Sequence, residues 1–290
     1  MNKKVEFSNQ DKIIFPKAKL TKKAIIDYYK KIADYILPHL KARPVTLERY
    51  PEGINKNGFF QKNKSDYFPN WLDFYEISNK DGTTTDYVLI NNVDSLLFLI
   101  NQAVITPHIW LSQKNDIKKP DKIVFDLDPT KKDYRNLVII AKSIKKYLDS
   151  IGLVAYVMST GSNGVHIILP IKPELSFEQI HEFAKKISEK IVNKNPKIAT
   201  IEQRKDKRDG KVFIDYLRNS YGQTSVCPYA IRPKENAPIA TPLSWDELTS
   251  SFNPQRYTIK NIFRRLAKKN NPWKDIYTNR KSVKKIINNI

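Results

Sequence analysis

The sequence predicts an α/β (α+β) protein in which a mostly antiparallel sheet is flanked by helices, with an additional N-terminal α/β sub-region. Three observations predict this class. Short apolar segments bounded by turn residues recur along the chain, as they do in strands. Longer segments repeat apolar residues at spacings of three and four, as helices do. Turns that contain glycine connect successive strand segments directly, which favours antiparallel pairs.

The first part of the chain is predicted to begin with one long helix. Thr21 is a suitable N-cap for a helix over residues 22–40, whose apolar side chains share one face. Asp94 is predicted to cap a second helix that ends near Ala103. The sequence Asn79-Lys80-Asp81-Gly82 predicts a hairpin turn. Strands are predicted at Val45–Tyr50, Gly58–Lys62, Phe74–Ser78, Tyr87–Asn91 and Ile105–Leu111.

The second part alternates strands and helices more regularly. Helices are predicted at Asp133–Ile151, after the N-cap Ser176, after the N-cap Ser244 and at Ile259–Lys269. Strands are predicted at Ile123–Leu127, Val154–Ser159 and Val165–Leu169, on both sides of a charged turn within 199–215, and at Ser225–Ile231. We expect a single domain over residues 1–290, with sub-regions 1–114 and 115–290.

The chain is strongly basic. It carries 51 Lys and Arg against 30 Asp and Glu, a formal net charge of +21. Residues 256–290 contribute +10 of this charge, and residues 1–44 form a second basic segment. Such an excess favours a polyanionic partner. A lysine-rich solvated surface would also explain the charge, whereas membrane binding is less favoured because no strongly apolar helix face accompanies it.

Several protein classes are excluded by composition. The single cysteine, Cys227, allows neither an internal disulfide nor a zinc site built on cysteines, and we expect it to pack in the core. The start of the chain lacks the apolar region of a signal peptide, and no stretch approaches the ~18 apolar residues of a membrane span. We therefore expect a soluble, cytoplasmic protein with no membrane partner.

The sharpest local feature is a pair of carboxylates near the end of a predicted strand. Asp126 and Asp128 are two residues apart, so they project from one face while their apolar neighbours point into the core. Carboxylates this close repel each other unless a cation lies between them, which predicts a Mg²⁺ or Mn²⁺ site. Asp215, within a second apolar segment, is a third candidate ligand, and three acids can hold two ions. The alternatives are two exposed acids at a strand end and an Arg218 salt bridge to Asp215.

A turn that contains two glycines links the next two apolar strands. Small residues over Ser159–Gly164 let backbone N–H groups approach an anion, and His166 follows at a spacing that places it on the same side. Arg218 and Arg232 lie on or after later strands, where guanidinium groups suit a triphosphate. His108 is a further candidate in a predicted strand. Taken singly, the turn and both histidines also fit purely structural roles.

Two adjacent aromatic residues, Phe59 and Phe60, lie in a predicted strand close to Lys62 and Lys64. Adjacent strand residues face opposite ways, so one ring can be buried while the other is exposed and stacks on a nucleic-acid base. Burial of both rings is the alternative.

In their order along the chain, these segments resemble the polymerase domain of bacterial and archaeal ligase D. That family belongs to the archaeo-eukaryotic primase superfamily and serves non-homologous end joining. The resemblance covers essentially the whole chain, so we expect a primase-like catalytic core and no fused ligase or nuclease module. The segments that carry it are Asn9–Pro16, Arg49–Gly53, Gly58–Asn63, Phe125–Pro129, Thr160–His166, Asp215–Asn219, Tyr229–Arg232 and Thr241–Leu248.

The resemblance implies a role for each matching residue. The ligands of two divalent ions, Mn²⁺ or Mg²⁺, would be Asp126, Asp128 and Asp215. The incoming NTP or dNTP would be held, mostly by its phosphates, by His108, Thr160, His166, Arg218 and Arg232. The 5′-phosphate of a gap would be bound by Asn9, Lys12 and Lys22. The template would stack on Phe59 and Phe60, and a mobile loop would carry Arg208.

Two residues depart from the pattern of that family. Thr160 replaces the usual serine but keeps the hydroxyl group. Asn163 replaces the usual lysine, which removes a cation near the phosphates and should weaken nucleotide binding unless another lysine compensates.

The resemblance implies a template-directed nucleotidyltransferase, a DNA-directed DNA/RNA polymerase that fills short gaps at double-strand breaks and prefers ribonucleotides. The implied partners are DNA with gaps, overhangs or broken ends, Ku, and a separately encoded DNA ligase, in a cytoplasmic, nucleoid-associated setting. Two alternatives stay open. One is a primase of replication or of a mobile element, and the other is a non-catalytic protein that binds and bridges DNA ends.

Overall fold

A computed structural model describes residues 5–79, 81–131, 134–269 and 271–289. These residues divide into two compact units, and each unit is described by itself. The first unit draws its residues from Met1–Asn115, Thr224–Ala240 and Thr258–Lys260. The second draws them from Asp116–Gln223, Thr241–Tyr257 and Asn261–Ile290.

The described residues form α-helices and β-strands that we number in chain order. The helices are Lys22–Lys31 (α1), Ala33–Leu40 (α2), Val93–Asn101 (α3), Tyr134–Ser150 (α4), Phe177–Lys194 (α5) and Ile262–Lys268 (α6). The strands are Ile13–Phe15 (β1), Leu20–Thr21 (β2), Pro44–Arg49 (β3), Phe59–Gln61 (β4), Phe74–Ser78 (β5), Thr84–Leu89 (β6), Val104–Trp110 (β7), Lys122–Pro129 (β8), Tyr156–Ser159 (β9), Val165–Pro170 (β10), Ala199–Thr200 (β11), Val212–Asp215 (β12), Thr224–Val226 (β13) and Thr241–Leu243 (β14).

The first unit is built on an antiparallel sheet in the order β13-β7-β3-β6-β5, with β4 paired to the far end of β3. β1 and β2 form a separate two-stranded sheet just before α1. The hydroxyl of Thr21 accepts a hydrogen bond from the backbone N–H of Ala24, which confirms the predicted N-cap. The hairpin between β5 and β6 is closed by the Asn79 N–H, which donates to the Thr83 carbonyl at 2.8 Å.

The second unit is built on a sheet in the order β11-β12-β8-β10-β9-β14. Its strand pairs are antiparallel except β11 with β12, so the predicted mostly antiparallel α/β class is confirmed. Phe125 and Leu127 of β8 pack in one buried cluster with apolar side chains of α4 and α5. Alternation along the strand therefore places Asp126 and Asp128 on the opposite face of the sheet. Ser176 caps α5 with a capping box, as predicted.

Two predictions for helices of the first unit were wrong. The helix over 22–40 is interrupted at Ile32, where ψ is 0° and the Tyr35 N–H bonds three residues back instead of four. Asn92, not Asp94, caps α3: the Asn92 side chain accepts from the Ser95 N–H, and Asp94 lies in the first turn. A carboxylate in that turn still interacts favourably with the helix dipole.

Two segments in the later part of the chain form shorter elements than predicted. The strand Ser225–Ile231 is limited to β13, because Tyr229 has a φ of 67° and the Ala230 N–H closes a turn on Cys227. The helix Ile259–Lys269 is limited to α6, because Thr258 forms an extended bridge with Pro238 just before it. Cys227 is fully buried, as expected. Lys80 of the hairpin turn and Asp133 of the predicted helix lie outside the described residues.

None of the helices formed by the described residues has both the length and the apolar composition needed to cross a bilayer.

Candidate active site

Three neighbouring strands of the second unit bring charged side chains into one row. Asp126 lies directly opposite His166 of β10 on one side and opposite Asp215 of β12 on the other. Residues directly opposite each other in an antiparallel pair point to the same face. His166 Nε2 is 3.4 Å from Asp126 Oδ1, and Arg218 Nε is 3.3 Å from one carboxylate oxygen of Asp126 and of Asp215. The expected Arg218 salt bridge is therefore present and joins both acids.

Asp128 lies two residues further along β8, next to a buried arginine. Its carboxylate is 3.8 Å from the Arg208 guanidinium, and it is about half exposed. Arg208 covers the ring of Phe213 at 3.8 Å and donates to the backbone carbonyls of Glu202 and Gln203. The segment before β12 therefore places the Arg208 guanidinium, a positive charge, at the end of the row of carboxylates.

The three carboxyl groups differ in how readily they ionise. Burial opposes ionisation of Asp126, but His166 and Arg218 outweigh it and hold the pKa of this carboxyl at about 2. Burial and repulsion by Asp126 raise the pKa of Asp128, and burial with the same repulsion raises that of Asp215 despite Arg218. A bound divalent cation would offset both the burial and the repulsion that disfavour ionisation of these carboxyl groups. Carboxylate oxygens are suitable ligands for Mg²⁺ or Mn²⁺.

The donor set therefore fits a divalent ion in its chemistry, although the side chains are not converged on one point. Among the residues that the structure describes, no three His, Cys, Asp or Glu side chains are close enough together to hold a metal ion. The guanidinium of Arg218 reaches both Asp126 and Asp215 instead. A cation bound by these two carboxylates would have to share them with the Arg218 guanidinium or displace it.

The glycine turn between β9 and β10 is organised by Thr160. The Thr160 hydroxyl accepts from the backbone N–H groups of Ser162 and Gly164 at 3.2 Å and donates to the Gly164 carbonyl at 3.0 Å. The Gln255 side-chain amide donates to the Ser162 carbonyl at 2.9 Å and fixes the turn from outside. Asn163 is exposed at the tip of the turn. The threonine hydroxyl therefore forms its hydrogen bonds with the backbone of the turn itself.

We expect Gly164→Ala to destabilise the second unit. A Cβ at this position would lie 2.0 Å from the Leu127 carbonyl oxygen of β8, so the two strands would have to separate beside Asp128. Overpacking of this kind costs about 1–3 kcal/mol or more. Urea unfolding measures the loss. Gly152→Ala is the control, because its Cβ would meet nothing within 4 Å and only the φ of 74° is unfavourable. Equal losses in the two variants would contradict the packing argument.

In the first unit, His108 belongs to a second polar cluster. Its Nε2 is 2.9 Å from Glu48 Oε2, and the Tyr50 hydroxyl donates to Glu48 Oε1 at 3.1 Å. The ring of Phe60 contacts the His108 ring edge-on, with the ring centroids 5.4 Å apart. Arg232 is close enough that its charge contributes to lowering the pKa of Glu48.

Phe59 and Phe60 are both exposed, at 47% and 63%, so the expectation that at least one ring is buried was wrong. Among the described strands, β4 pairs with β3 alone and lies off the main order of the sheet, which accounts for the exposure of both rings. The Arg49 guanidinium lies 5.4 Å from the centre of the Phe59 ring. Two exposed rings beside cationic side chains form a surface on which bases can stack.

The three residues proposed for an anion site lie together in the first unit. The Lys22 N–H donates to the Lys12 carbonyl at 2.8 Å, and the Lys12 N–H donates to the Asn9 carbonyl at 3.1 Å. Asn9 adopts a left-handed φ of 50°, which folds the chain back over the lysines. Burial, together with the charge of Lys12, lowers the pKa of Lys22. A nearby anion would stabilise the charged form of Lys22.

Sequence reasoning missed four residues that contact these clusters. Glu52 pairs with Lys12 at 2.8 Å, and the Ser8 carbonyl accepts from the Lys22 ammonium at 2.7 Å. Gln255 holds the glycine turn, and Glu48 holds His108. Only Glu48 could have been found from the sequence, since Thr46 and Glu48 alternate with the apolar Val45 and Leu47 along one strand. The other three contacts join segments with no shared pattern.

Comparisons with known proteins agree on one family. A model described as "LigD, primase-polymerase domain" matches residues 21–273. The bifunctional non-homologous end joining protein LigD of Bacillus subtilis (strain 168) is 37% identical over 279 residues, 95% of this chain and 44% of that protein. The multifunctional LigD of Mycolicibacterium smegmatis is 33% identical over 248 residues, 84% of this chain and 32% of that protein. The chain thus spans less than half the length of these curated relatives.

A solved structure agrees with the sequence comparisons. The polymerase domain of Mycobacterium tuberculosis ligase D, in complex with DNA, superposes with a TM-score of 0.89 at 27% sequence identity. The match covers 96% of this chain and 99% of that one.

Proposed function

This chain belongs to the family of LigD primase-polymerase domains, and from that premise we propose that it fills short gaps at DNA double-strand breaks during non-homologous end joining. Membership of the family implies a nucleotidyltransferase that uses nucleotide substrates. Beyond this general activity, residues 1–290 are proposed to act as one DNA-directed polymerase module that prefers ribonucleotides. The observation that carries it is the row of His166, Asp126 and Asp215 on three adjacent strands, with Asp128 beside it.

The proposed reaction is attack of a primer 3′-hydroxyl on the α-phosphorus of a nucleoside triphosphate, with pyrophosphate as the leaving group. Asp126, Asp128 and Asp215 would hold two divalent ions, Mn²⁺ or Mg²⁺, which would supply Lewis-acid activation and neutralise phosphate charge. Next to the carboxylates, His166 and Arg218 supply donors for phosphate oxygens.

The remaining nucleotide contacts follow the family resemblance. Hydrogen bonds to the Thr160 hydroxyl hold the turn in one conformation, so its backbone would not need to reorganise around a triphosphate. His108 and Arg232, in the first unit, are proposed nucleotide ligands from the family resemblance alone. Arg208, fixed beside Asp128, is proposed to organise the carboxylates through a loop that moves during the cycle.

DNA recognition is proposed for the first unit. Asn9, Lys12 and Lys22 would bind the 5′-phosphate on the downstream side of a gap. Burial and the nearby charge of Lys12 lower the pKa of Lys22, and a bound phosphate would offset both effects. Phe59 and Phe60 would stack on the template strand. The solved neighbour, a ligase D polymerase domain in complex with DNA, supports this assignment. Ku and a separately encoded DNA ligase are the proposed partners, at the nucleoid in the cytoplasm.

The proposal is tested by extending a labelled primer across a gap of one or two nucleotides, with and without a 5′-phosphate. NTPs or dNTPs are supplied with Mn²⁺ or Mg²⁺, and Asp126→Ala serves as the inactive control. We expect addition that depends on Asp126, favours NTPs and is stimulated by the phosphate. Synthesis on unprimed single strands would point to a primase instead. Tight binding to the gap without any addition would leave a protein that only binds and bridges DNA ends.

We expect Lys12→Ala to spare extension of an open primer–template but to remove the preference for a 5′-phosphorylated gap. Hydrogen bonds to charged groups contribute about 1.5–3 kcal/mol, so the preference should fall roughly ten- to hundredfold. Lys17→Ala is the matched control, since it removes one exposed lysine that pairs with Glu235. An unchanged ratio of phosphorylated to unphosphorylated extension in Lys12→Ala would rule out this residue as a phosphate ligand.

A further inference from the structure

A buried carboxylate, Glu48, lies in the first unit among side chains proposed to bind the nucleotide and the template. It is in the middle of the strand β3, opposite Phe60 of β4 on one side and Thr106 of β7 on the other. His108 follows Thr106 by two residues, so it projects from the same face of the sheet as Glu48. The register of β3 against β7 therefore brings Glu48 next to His108.

Both carboxylate oxygens of Glu48 are engaged. His108 Nε2 lies 2.9 Å from Oε2, and the Tyr50 hydroxyl donates to Oε1 at 3.1 Å. The side chains of His108 and Glu48 are only 14% and 9% exposed. Phe60 covers the His108 ring from the side. These contacts leave the imidazole little freedom to rotate.

The electrostatics of the pair favour two opposite charges. Burial opposes ionisation of Glu48, but the hydrogen bond and the charge of His108 outweigh it and lower the pKa of this carboxyl. An ionised carboxylate only accepts hydrogen bonds, so His108 Nε2 carries the proton that is shared with it. The interaction is mutual, and Glu48 therefore stabilises the imidazolium form of His108. Arg232, Tyr50 and Tyr29 also face the pair, and of these only Arg232 is charged near neutral pH.

We propose that Glu48 is a positioning residue that keeps His108 a protonated, fixed imidazolium, so that the histidine rather than a bare carboxylate interacts with the phosphates of the nucleotide. The inference rests on the proposed function in one respect, the assignment of His108 to the nucleotide. A carboxylate at this place without its histidine would repel a triphosphate. Paired with the imidazolium, it instead supplies the counter-charge that keeps the cation protonated.

The first test is the kinetics of Glu48→Gln, which removes the charge but keeps the size and the hydrogen-bonding atoms. At pH 8 we expect KM for the NTP to rise roughly tenfold, the value of one charge-assisted hydrogen bond, with kcat little changed. At pH 6 the difference should shrink, because an unperturbed histidine is largely protonated there. A KM that stays the same or falls would overturn the proposal, since it would mean that Glu48 only packs or repels the nucleotide.

Two controls separate positioning from loss of structure. Glu247→Gln neutralises another buried carboxylate, in the second unit, and should lower stability without moving KM. In a His108→Ala background, Glu48→Gln should leave KM unchanged or lower it, because there is no histidine left to position and only the repulsion of the triphosphate by the carboxylate is removed. An additional rise in KM in that background would contradict the proposal.

The second test needs no activity. In ¹⁵N-labelled protein, the two ring nitrogens of His108 should both be protonated at pH 7.5 in the wild type, and only one in Glu48→Gln. Identical His108 spectra in the two proteins would overturn the inference. The comparison of the His108 spectra tests the role of Glu48 even if the wild type adds no nucleotide. A failure to add nucleotide would refute the proposed function and not the role of Glu48.

Discussion

Asp126→Asn is expected to lower the rate of nucleotide addition about 10³-fold or more, comparable to the loss of other preorganised electrostatic groups in active sites. Asp126 is the central residue of the row: it faces both His166 and Asp215 across the sheet and contacts Arg218. The amide keeps the size of the side chain but loses the negative charge that balances Arg218 and would hold the divalent ions. Single-turnover extension of a gapped primer measures the rate, and separate binding measurements show whether DNA affinity is retained.

Asp149→Asn is the matched control for this variant. Asp149 is an exposed residue of α4 whose carboxylate pairs with Lys145 one turn earlier, and pairs of this type contribute about 0.5 kcal/mol or less. Its activity should equal that of the wild type. If Asp126→Asn kept more than a tenth of the wild-type rate, the carboxylate row would not be the catalytic centre.

Arg265→Met is expected to have the largest effect on stability, lowering the free energy of unfolding by about 3–5 kcal/mol, as when one partner of a buried ion pair is removed. Arg265 and Glu247 are 4% and 8% exposed, and two guanidinium nitrogens donate to the Glu247 carboxylate at 2.7 and 3.1 Å. In the described part of the chain, the variant would leave this buried carboxylate with hydrogen bonds from Ser244 and Tyr257 and with the half-exposed Lys269 ammonium at 3.8 Å. Urea unfolding at pH 7 measures the loss.

The pH dependence identifies the cause of that loss. Burial opposes ionisation of Glu247, but Arg265 outweighs it and holds the pKa of the carboxyl at about 2, below the roughly 4.3 of an unfolded chain. The pair therefore stabilises the protein fully above about pH 4.3, and this contribution disappears as the pH falls towards 2. The difference between the wild type and Arg265→Met should shrink below about pH 4. Equal differences at pH 7 and at about pH 2.5 would rule out the ionised, buried carboxylate as the cause.

The double variant Arg265→Met, Glu247→Leu is the second control. Replacing both partners of a buried pair by apolar side chains is often close to neutral, so the double variant should recover much of the stability.

Local pattern was enough to predict the carboxylate pair and its surroundings. Alternation along β8 placed Asp126 and Asp128 on one face and their apolar neighbours in the core, and the structure confirms this division. A salt bridge from Arg218 to Asp215 was the alternative to a metal site at that acid, and the structure shows this salt bridge. The caps at Thr21 and Ser176 were also predicted from local pattern, since a cap contacts only residues of its own first turn.

Predictions from the sequence failed for two different reasons. Asp94 and Asn92 are both good N-caps, and only the extended backbone at Asn92 selects between them. The exposure of both Phe59 and Phe60 depends on whether a layer covers β4, which alternation within the strand does not specify.

By itself, the sequence determined the elements that depend on neighbours in the chain: the fold class, the helix caps, the acid pair of β8 and, through ordered motifs, the family. Strand register and long-range pairing were decided only by the tertiary structure. The pairing of β13 with β7 places residues 224–240 in the first unit, and the register of β3 against β7 brings Glu48 to His108. These contacts join segments that are up to about 120 residues apart. Their energy comes from side chains that meet only after the sheet has formed, so no local spacing encodes them.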